Sequence, residues 1–441
     1  MSLLEQSEAQ ALLNDATVSP DTVRDCTDRL TGFLRRYLPT FYRIEQRANA
    51  TTVIRGLLSG LERKTCEPIA IEAGLARKPI QFFVGSGKWD DEAVMAELRA
   101  HVREDLAEPK GVVVIDPSGF PKKGIESCGV DRQWCGRLGK VENCQIGVFL
   151  AYAAEAGYAP LDRRLYLPRE WADDEARREK CHVPEEVKFQ ETWRIALDLL
   201  DRSLPGLPHG WIVGDDELGR AAEFRAALRR RSERYILDVP CNTTVRDRER
   251  RRPRRKKAGV GRKREVPFRR ADSWAASQPE SRWERITVRD GEKGPLVVDA
   301  MSVRVRAKQD RRIGPEERLV VIRPVGESRV DYALSNAGPE APLAEVVRAQ
   351  RQRHRIEEVF GAGKGEVGLD HYEVRSWVGW HHHMTLCLVA LWFLCLERRR
   401  VGGENPGDHG GAGQAGLHAV APPSGAGSGA NRRGDHASAA A

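Results

Sequence analysis

Apolar residues in the first quarter of the chain recur at helical spacing. They form three stripes: Val23, Cys26, Leu30, Phe33 and Leu34; Val53, Ile54, Leu57, Leu58 and Leu61; and Val94, Leu98 and Val102 behind the acidic pair Asp90 and Asp91. Each stripe predicts an amphipathic helix, and the acidic pair is a typical helix start. We expect an all-helical N-terminal domain with a DNA-binding role. Residues 68–75 are either part of a plain bundle or half of a helix-turn-helix.

From residue 111 the pattern changes to short β-branched and apolar runs. VVVID (112–116) and WIVGD (211–215) are continuous runs that predict strands buried on both faces, each closed by an aspartate. The turn residues Pro-Ser-Gly follow Asp116. Ligands gather at the carboxyl ends of such strands, so we expect Asp116 and Asp215 at one rim of an α/β sheet. For either aspartate a helix N-cap is the alternative.

Other segments complete the pattern. Strands are predicted over 145–152, 164–167 and 235–239, and helices over 171–200 and from Gly219 through Leu228. Short strand-like runs at 285–288, 296–298, 302–306, 319–324 and 332–334, separated by turn residues, predict a β-rich insertion. Helices resume at residue 342 and include the apolar run 384–396, which is too short to cross a bilayer and predicts a buried helix. The Gly- and Ala-rich tail after Val401 is predicted to be disordered, or else is a frameshifted end.

The charge of the 441-residue chain is +8 and is concentrated in one segment. Residues 246–270 contain 14 Lys and Arg against 3 Asp and Glu, and include Arg254, Arg255, Lys256 and Lys257. A local excess of this kind indicates a polyanionic partner, with a solvated loop as the alternative. Nine cysteines without a C-x-x-C pair, and a polar opening MSLLEQSEAQ, favour a reduced cytoplasm and no membrane partner.

A third carboxylate lies in the segment RQRHRIEEVFGAGKGEVGLDHY (351–372). Ile356, Val359 and Phe360 recur at helical spacing, so Arg353 and Glu357, four residues apart, share another side of the same helix. If the helix continues, Lys364 lies two turns beyond Glu357, although glycines weaken that continuation. A surface ion pair is the alternative reading of Arg353 and Glu357.

Asp116, Asp215 and Glu357 together are a suitable ligand set for a pair of Mg²⁺ or Mn²⁺ ions. Hard cations prefer carboxylate oxygens, and their coordination is commonly completed by water and substrate phosphate. Two such ions can activate the attacking oxygen and stabilise the leaving one at phosphorus.

At these residues the sequence resembles the DDE transposases of bacterial insertion sequences. The matching segments are VVVIDPSGFPKKG at Asp116, WIVGDDELG at Asp215 and RHRIEEVFGAGKGEVGLDHYEVRSW around Glu357. The third resembles the Y-x2-R-x3-E-x6-K signature of the branch with a β-rich insertion. Arg353, Glu357 and Lys364 fill its R, E and K positions, whereas Gln350 stands where the tyrosine belongs.

The resemblance implies an RNase H-like α/β catalytic domain interrupted by the insertion, with Asp116, Asp215 and Glu357 as metal ligands. Alignment of the motifs favours Asp215 over Asp216, and Glu357 over Glu358. The domains are then a helical N-terminal domain (1–105), a catalytic domain in two parts (106–240 and 341–400) around a basic insertion (241–340), and the tail (401–441).

Further DNA contacts are candidates. Lys122 and Lys123 follow the first aspartate and can hold a phosphate or remain solvated. In this branch a flipped base can stack on an insertion-domain tryptophan, for which Trp274 and Trp283 are candidates by location. Burial in a small β core is expected for at least one of them. The run His381–His383 is not expected to bind zinc, because consecutive helical residues point in different directions.

The resemblance therefore implies a metal-dependent transposase that cuts double-stranded DNA at element ends and joins the freed 3′ hydroxyl to target DNA. A homodimer is expected because two ends must be brought together, and the enzyme is expected in the bacterial cytoplasm, associated with the nucleoid. The alternatives are a catalytically degenerate DNA-binding protein and a host nuclease on the same fold.

Overall fold

The computed structural model describes residues 20–250, 265–289, 295–309 and 312–400. The tail and Arg254, Arg255, Lys256 and Lys257 lie outside the described residues. The helices, in chain order, are α1 Pro20–Tyr37, α2 Ile44–Leu58, α3 Cys66–Glu72, α4 Arg77–Gly85, α5 Asp91–Leu106, α6 Arg169–Ala172, α7 Glu175–Lys180, α8 Thr192–Ser203, α9 Asp216–Arg220, α10 Ala222–Arg230, α11 Ala271–Ala275, α12 Leu343–Arg351, α13 Arg353–Val367 and α14 Trp377–Arg400. The strands are β1 Val112–Pro121, β2 Asp131–Cys135, β3 Lys140–Ala154, β4 Gly157–Leu165, β5 Trp211–Gly214, β6 Tyr235–Asp238, β7 Thr244–Asp247, β8 Arg269–Arg270, β9 Glu284–Arg289, β10 Leu296–Gln309, β11 Arg312–Pro324 and β12 Asp331–Ser335.

The five N-terminal helices share their core with the last helix, α14. Cys26, Leu30, Phe33 and Leu34 of the α1 stripe are buried. Phe33 packs against Phe393 with ring centroids 5.2 Å apart. Arg29 forms two hydrogen bonds, of 2.8 and 2.7 Å, to the Glu397 carboxylate. The helices predicted from the three stripes are therefore confirmed. They lie against the remainder of the chain through one continuous hydrophobic core.

A single mixed sheet runs through the molecule in the order β2-β3-β1-β5-β6-β12-β11-β10-β7-β8, with β4 paired to β3 and β9 to β10. β1, β5 and β6 are parallel, and β3 is antiparallel to β1. Residues 112–115 are each at most 4% exposed, because helices cover both faces of this part of the sheet. The predicted mixed α/β architecture is therefore present.

The first strand is longer than its sequence predicted. The Pro-Ser-Gly sequence after Asp116 was expected to turn, but β1 continues to Pro121 and remains paired with β3. Beyond Ile115 no strand of the described residues pairs with the other edge of β1, and proline is tolerated at such an edge. At Gly119 a Cβ atom would lie 2.7 Å from the Cys135 sulfur, so the close approach of these strands requires glycine there.

The helical pattern predicted over 171–200 is confirmed, and it is divided into three short helices, α6 to α8. The chain reverses after α7 at His182, which has a left-handed φ of 53°, and Pro184 follows. Neither residue suits a helix interior.

Strands β7 to β12 extend the sheet beyond β6 and enclose a second, smaller core. The runs predicted at 296–298 and 302–306 are one strand, β10, and the other predicted runs each coincide with a strand. β12 pairs with β6, so the β-rich region continues the central sheet directly. Trp274, Met301, Val303 and Leu319 are among its buried residues.

Helices α13 and α14 bring the third motif onto the sheet. α13 continues through Gly361 and Gly363 and ends at Gly368, whose φ of 62° is typical of a helix C-terminus. A Cβ at Gly363 would lie 3.1 Å from Leu369, so close packing explains why a glycine is tolerated inside this helix. By length and composition α14 could cross a membrane, but 94% of its most apolar window is buried, which confirms the predicted buried helix.

Candidate active site

Three parallel strands each carry a carboxylate just beyond the level where their parallel pairing ends. The last paired residues of β1 and β5 are Ile115 and Gly214, and Gly214 is paired in turn with the next-to-last residue of β6. The residue that follows this level is an aspartate in each strand: Asp116, Asp215 and Asp238. Asp116 and Asp215 therefore lie at the same rim, as the two strand patterns predicted. We call these three residues the aspartate row.

Asp116 is half-buried, and none of the described residues forms a hydrogen bond or ion pair with its carboxylate. Burial raises the pKa of Asp116 to about 7. The Arg353 guanidinium opposes this shift, and the Glu357 carboxylate adds to it. Asp116 is thus a carboxylate without a hydrogen-bond donor, held among other charged groups.

Asp215 is half-buried and caps helix α9, where its Oδ1 accepts a hydrogen bond of 3.1 Å from the Leu218 backbone N–H. The N-cap alternative is therefore confirmed, but it occupies one oxygen only. Burial raises the pKa of Asp215 to about 8, and the Asp116 carboxylate is the next cause. The neighbouring Asp216 is exposed and pairs with Arg220 at 3.1 Å.

Arg353 begins α13 and reaches the same rim. Its Nε lies 3.0 Å from Asp238 Oδ2, and its Nη2 lies 3.6 Å from Glu357 Oε1. Burial acts to lower the pKa of Arg353, but the surrounding carboxylates, Asp238 first, raise it overall. The predicted Arg353–Glu357 pair is present, and the stronger contact of Arg353 is to the aspartate row.

The Glu357 side chain is 53% exposed and accepts a 2.8 Å hydrogen bond from His354 Nδ1. That bond is the main cause of the lowered pKa of Glu357. The adjacent Glu358 is only 15% exposed and lies 3.7 Å from Arg289 and 3.6 Å from Arg355. The two glutamates therefore contact different partners, and of the two it is Glu357 that influences Asp116.

Two of the predicted lysines have defined contacts near the rim. Lys364 Nζ lies 3.4 Å from the Ser118 hydroxyl, two residues beyond Asp116, and burial lowers the pKa of its ammonium group. Lys122 Nζ lies 3.3 Å from the centre of the Tyr372 ring, and burial lowers its pKa to about 8. Lys123 is exposed.

A sequence profile described as a DDE superfamily endonuclease matches residues 36–295, more than half of the chain. The chain belongs to the DDE superfamily of endonucleases. The matched residues include Asp116 and Asp215 and end ahead of Glu357. Over 117 residues the chain is also 32% identical to a probable transposase for insertion sequence element IS701 from Microchaete diplosiphon. That alignment covers 26% of this chain and 30% of the relative, so the chain spans less than a third of the relative's length.

DDE endonucleases generally use divalent metal ions, and the donor set at the rim fits such an ion. The Asp116 carboxylate and the second oxygen of Asp215 are hard oxygen donors that no described side chain occupies. Among the described residues, no three His, Cys, Asp or Glu side chains are grouped closely enough to hold a metal. In this conformation one oxygen of the Glu357 carboxylate is bonded to His354 and the side chain is not grouped with the two aspartates, so it would have to move to become a third ligand.

The two tryptophans of this DDE endonuclease occupy different surroundings. Trp274 is 3% exposed, and its indole donates a 3.0 Å hydrogen bond to Asp247, so it is a core residue in this conformation. Trp283 is half-buried beneath Arg323, whose guanidinium lies 4.4 Å from the ring centre. The expectation that at least one of them is buried in the small β core is confirmed.

The histidine run His381–His383 is buried in three separate environments. His381 bonds to the Trp377 carbonyl at 2.9 Å, His382 stacks on Trp89, and His383 lies 3.3 Å from the Cys387 sulfur. Burial lowers the pKa of His381 to about 3 and of His383 to about 4. The divergence expected of consecutive helical residues is confirmed.

Asp238 is the residue of the aspartate row that sequence reasoning missed. The run YILDV (235–239) carried the same signal as VVVID and WIVGD, an apolar strand closed by an acid. Asp238 and Arg353 line a cavity of about 210 Å³ beside Asp215. Val239 lines both this cavity and a larger cleft.

The larger cleft, of about 990 Å³, is lined by helices α9 and α10 on one side and by the adjacent ends of β10 and β11 on the other. Arg220, Lys308 and Arg312 contribute cations to its lining, and Asn242 and Thr243 contribute neutral polar groups. Lys308 and Arg312 are exposed and form no ion pair with any residue whose position is described. A basic surface thus leads away from the rim.

Proposed function

We propose that this chain is the transposase of a bacterial insertion sequence. In this proposal it cuts double-stranded DNA at the element ends and joins the freed 3′ hydroxyl to target DNA. One observation carries the proposal: Asp116 and Asp215 share one level of a parallel sheet, within the family-matched region, and their burial leaves them without a compensating hydrogen-bonded cation. The similarity to a probable transposase supports the choice among DDE endonuclease activities.

We assign Asp116, Asp215 and Glu357 as ligands of two Mg²⁺ or Mn²⁺ ions. The bound ions would activate the attacking oxygen and stabilise the leaving oxygen at phosphorus. The chain itself holds Asp116 and Asp215 on rigid strands, so their spacing is fixed before DNA arrives. Glu357 lies on α13, where its carboxylate is bonded to His354. A change of its side-chain rotamer would turn the carboxylate toward the metal ions.

Cations around the rim are suited to DNA phosphates. Lys364 and Arg353 flank the carboxylates, and Lys122 directly follows the last residue of the strand that carries Asp116. Lys308 and Arg312 of the cleft are free to contact the sugar-phosphate backbone as it leaves the site. Trp283, Lys123 and the basic residues Arg254, Arg255, Lys256 and Lys257 remain candidates for the same interface.

We also propose an RNase H-like catalytic domain split by the insertion, with the boundaries given above. The strand order β4-β3-β1-β5-β6, with β1, β5 and β6 parallel, supports it. Two element ends must be cut together, so the active form is proposed to contain two copies of the chain.

Purified protein with Mn²⁺ and DNA carrying the element ends is the test. Asp116→Ala, Asp215→Ala and Glu357→Ala should each abolish cleavage and leave DNA binding intact. Asp216→Asn and Glu358→Gln, each adjacent to a proposed ligand, are the matched controls and should retain cleavage. Full cleavage by any of the three alanine variants would overturn the site assignment.

A catalytically degenerate DNA-binding protein is the second candidate. It is favoured by the absence of a three-ligand group among the described residues and by a family match that ends before Glu357. It would bind the element ends and cut nothing with either ion, whereas a host nuclease would cut DNA without regard to terminal repeats.

A further inference from the structure

Asp238 ends the third parallel strand, yet its carboxylate is engaged very differently from those of Asp116 and Asp215. Its Oδ2 lies 3.0 Å from Arg353 Nε, and its Oδ1 accepts a 2.8 Å hydrogen bond from Gln350 Nε2. The Asp238 side chain is only 13% exposed. One of its oxygens therefore has a hydrogen-bond donor and the other an ion-pair partner, whereas the Asp116 carboxylate has neither among the described residues.

Gln350 and Arg353, the two partners of Asp238, lie on either side of the junction between α12 and α13. Gln350 is in the last turn of α12, and Arg353 is the first residue of α13. Gln350 is 3% exposed, and within the described part of the chain its Oε1 has no partner, so the bond from its Nε2 to Asp238 is the side-chain hydrogen bond that holds it there. Asp238 thus fastens the start of the helix that carries Glu357 and Lys364 to the rim of the sheet.

Several carboxylates at this rim compete for the Arg353 guanidinium. Besides its contacts with Asp238 and Glu357, Arg353 lines the same cavity of about 210 Å³ as Asp215. A guanidinium that is free to rotate would pair with the carboxylate that has no other donor. In the structure it is held by Asp238 instead.

We infer that Asp238 is a positioning residue that holds Arg353 beside the metal-binding carboxylates and prevents it from occupying them. The inference rests on the proposed function, because it assumes that Asp116 and Asp215 receive divalent cations. Without the Asp238 charge, Arg353 turns toward Asp116 and Asp215 and competes with the incoming ion. Removing Arg353 as well abolishes that competition.

The experiment titrates Mn²⁺ alone onto the full-length, DNA-free protein and follows free Mn²⁺ by electron paramagnetic resonance. The variants are Asp238→Asn, which is isosteric and uncharged, Arg353→Gln, and the two combined. Asp238→Asn should raise the apparent Kd for Mn²⁺ about tenfold, as expected for coupled neighbouring charges. The double variant should match Arg353→Gln within about twofold.

Gln350→Met is the second variant, because it removes one donor and keeps the Asp238 charge. It should weaken Mn²⁺ binding in the same direction by less than Asp238→Asn does. Thermal unfolding in EDTA identifies any variant that fails to fold. In that metal-free assay the Asp238→Asn and Arg353→Gln cycle should still be non-additive, because the two side chains contact each other directly.

If Asp238→Asn raised the apparent Kd for Mn²⁺ by the same factor with and without Arg353, the inference would be overturned, since Asp238 would then act as a ligand itself. An unchanged Kd in Asp238→Asn, or an additive cycle in EDTA, would overturn it too. Failure of the proposed function looks different: Mn²⁺ binding would survive in Asp116→Asn and Asp215→Asn, or be absent from the unsubstituted chain. The EDTA cycle still decides whether Asp238 holds Arg353 in either case.

Discussion

Two regions of this protein bury carboxylates, and they differ in the number of hydrogen-bond donors that surround the buried group. Asp162 in β4 is 0% exposed and is surrounded by donors: Arg202 at 2.9 and 2.7 Å, Arg99 at 3.2 Å and Ser203 at 2.8 Å. Asp116 has no such donor in the part of the chain that the structure describes, and burial raises its pKa. Removal from water is unfavourable for a charge unless hydrogen bonds or ion pairs replace the lost solvation.

The difference separates a structural acid from a functional one. The contacts of Asp162 join β4 to helices α5 and α8, so its charge stabilises the fold. The charges of Asp116 and Asp215 are incompletely compensated by the chain, and a bound cation would compensate them. Perturbed carboxylates of this kind are typical of functional sites.

The largest expected effect is on catalysis. Asp116→Asn should lower the rate of Mn²⁺-dependent DNA cleavage by about a thousandfold or more, because metal ions supply several kcal/mol of transition-state stabilisation. Cleavage of end-labelled DNA measures the effect, and Asp216→Asn is the adjacent control. A cleavage rate within tenfold of that of the unsubstituted protein would mean that Asp116 is not one of the catalytic acids.

Asp162→Asn should instead damage the fold. Removing one partner of a buried ion-paired network costs about 3–5 kcal/mol, because Arg99 and Arg202 lose their counter-charge. Urea unfolding followed by circular dichroism measures the loss. Asp198→Asn, which removes an exposed partner of Arg164, should cost about 1 kcal/mol or less. Equal losses in the two variants would contradict the structural role of Asp162.

In the metal-free protein, Asp116 and Asp215 should make stability depend on pH in the opposite sense to that expected for ion-paired carboxylates. In the folded state the pKa of Asp116 is about 7 and that of Asp215 about 8, so the native protein binds more protons than the unfolded chain. Stability is therefore lost as pH rises from about 4 to 8. Asp116→Asn should raise the Tm in EDTA by a few degrees at pH 8.5 and by less at pH 5.5.

The control for that pH experiment is Asp216→Asn, whose carboxylate is exposed and paired with Arg220. It should show no pH-dependent gain. A gain in Asp116→Asn that is the same at both pH values would mean that the substitution acts through packing and not through charge.

The smallest expected effect is on DNA binding. Lys308→Ala should reduce the slope of log affinity against log salt by about one, because it removes one phosphate contact from the cleft. Arg304→Ala on the same strand is the control, since Arg304 is already paired with Glu316 at 3.1 Å. Equal slopes for the Lys308 variant and the unsubstituted chain would place the DNA backbone outside the cleft.

Local patterns predicted the rim because its geometry follows from short segments. VVVID and WIVGD each specify a buried strand and the acid that closes it, and parallel pairing then places Asp116 and Asp215 at one level. The helix carrying Arg353 and Glu357 was predictable from its spacing for the same reason. The two strands and this helix are all consequences of periodicity within a few residues.

The remaining features depend on partners far away in sequence. Asp238 closes an apolar strand as the other two aspartates do in their sequence runs, but its role depends on Arg353 and Gln350, which lie beyond the whole β-rich region. β1 continues past Pro117 because β3 pairs with it, and α13 passes Gly363 because Leu369 packs there. Long-range contacts overrode local propensity at both places.

The most direct test of the central claim is anomalous X-ray diffraction from crystals of the full chain soaked in Mn²⁺. We predict a manganese peak about 2 Å from carboxylate oxygens of both Asp116 and Asp215, with Glu357 released from His354 toward the ion. A peak bound only by other acids, or a rim that stays without manganese at saturating concentration, would contradict the account.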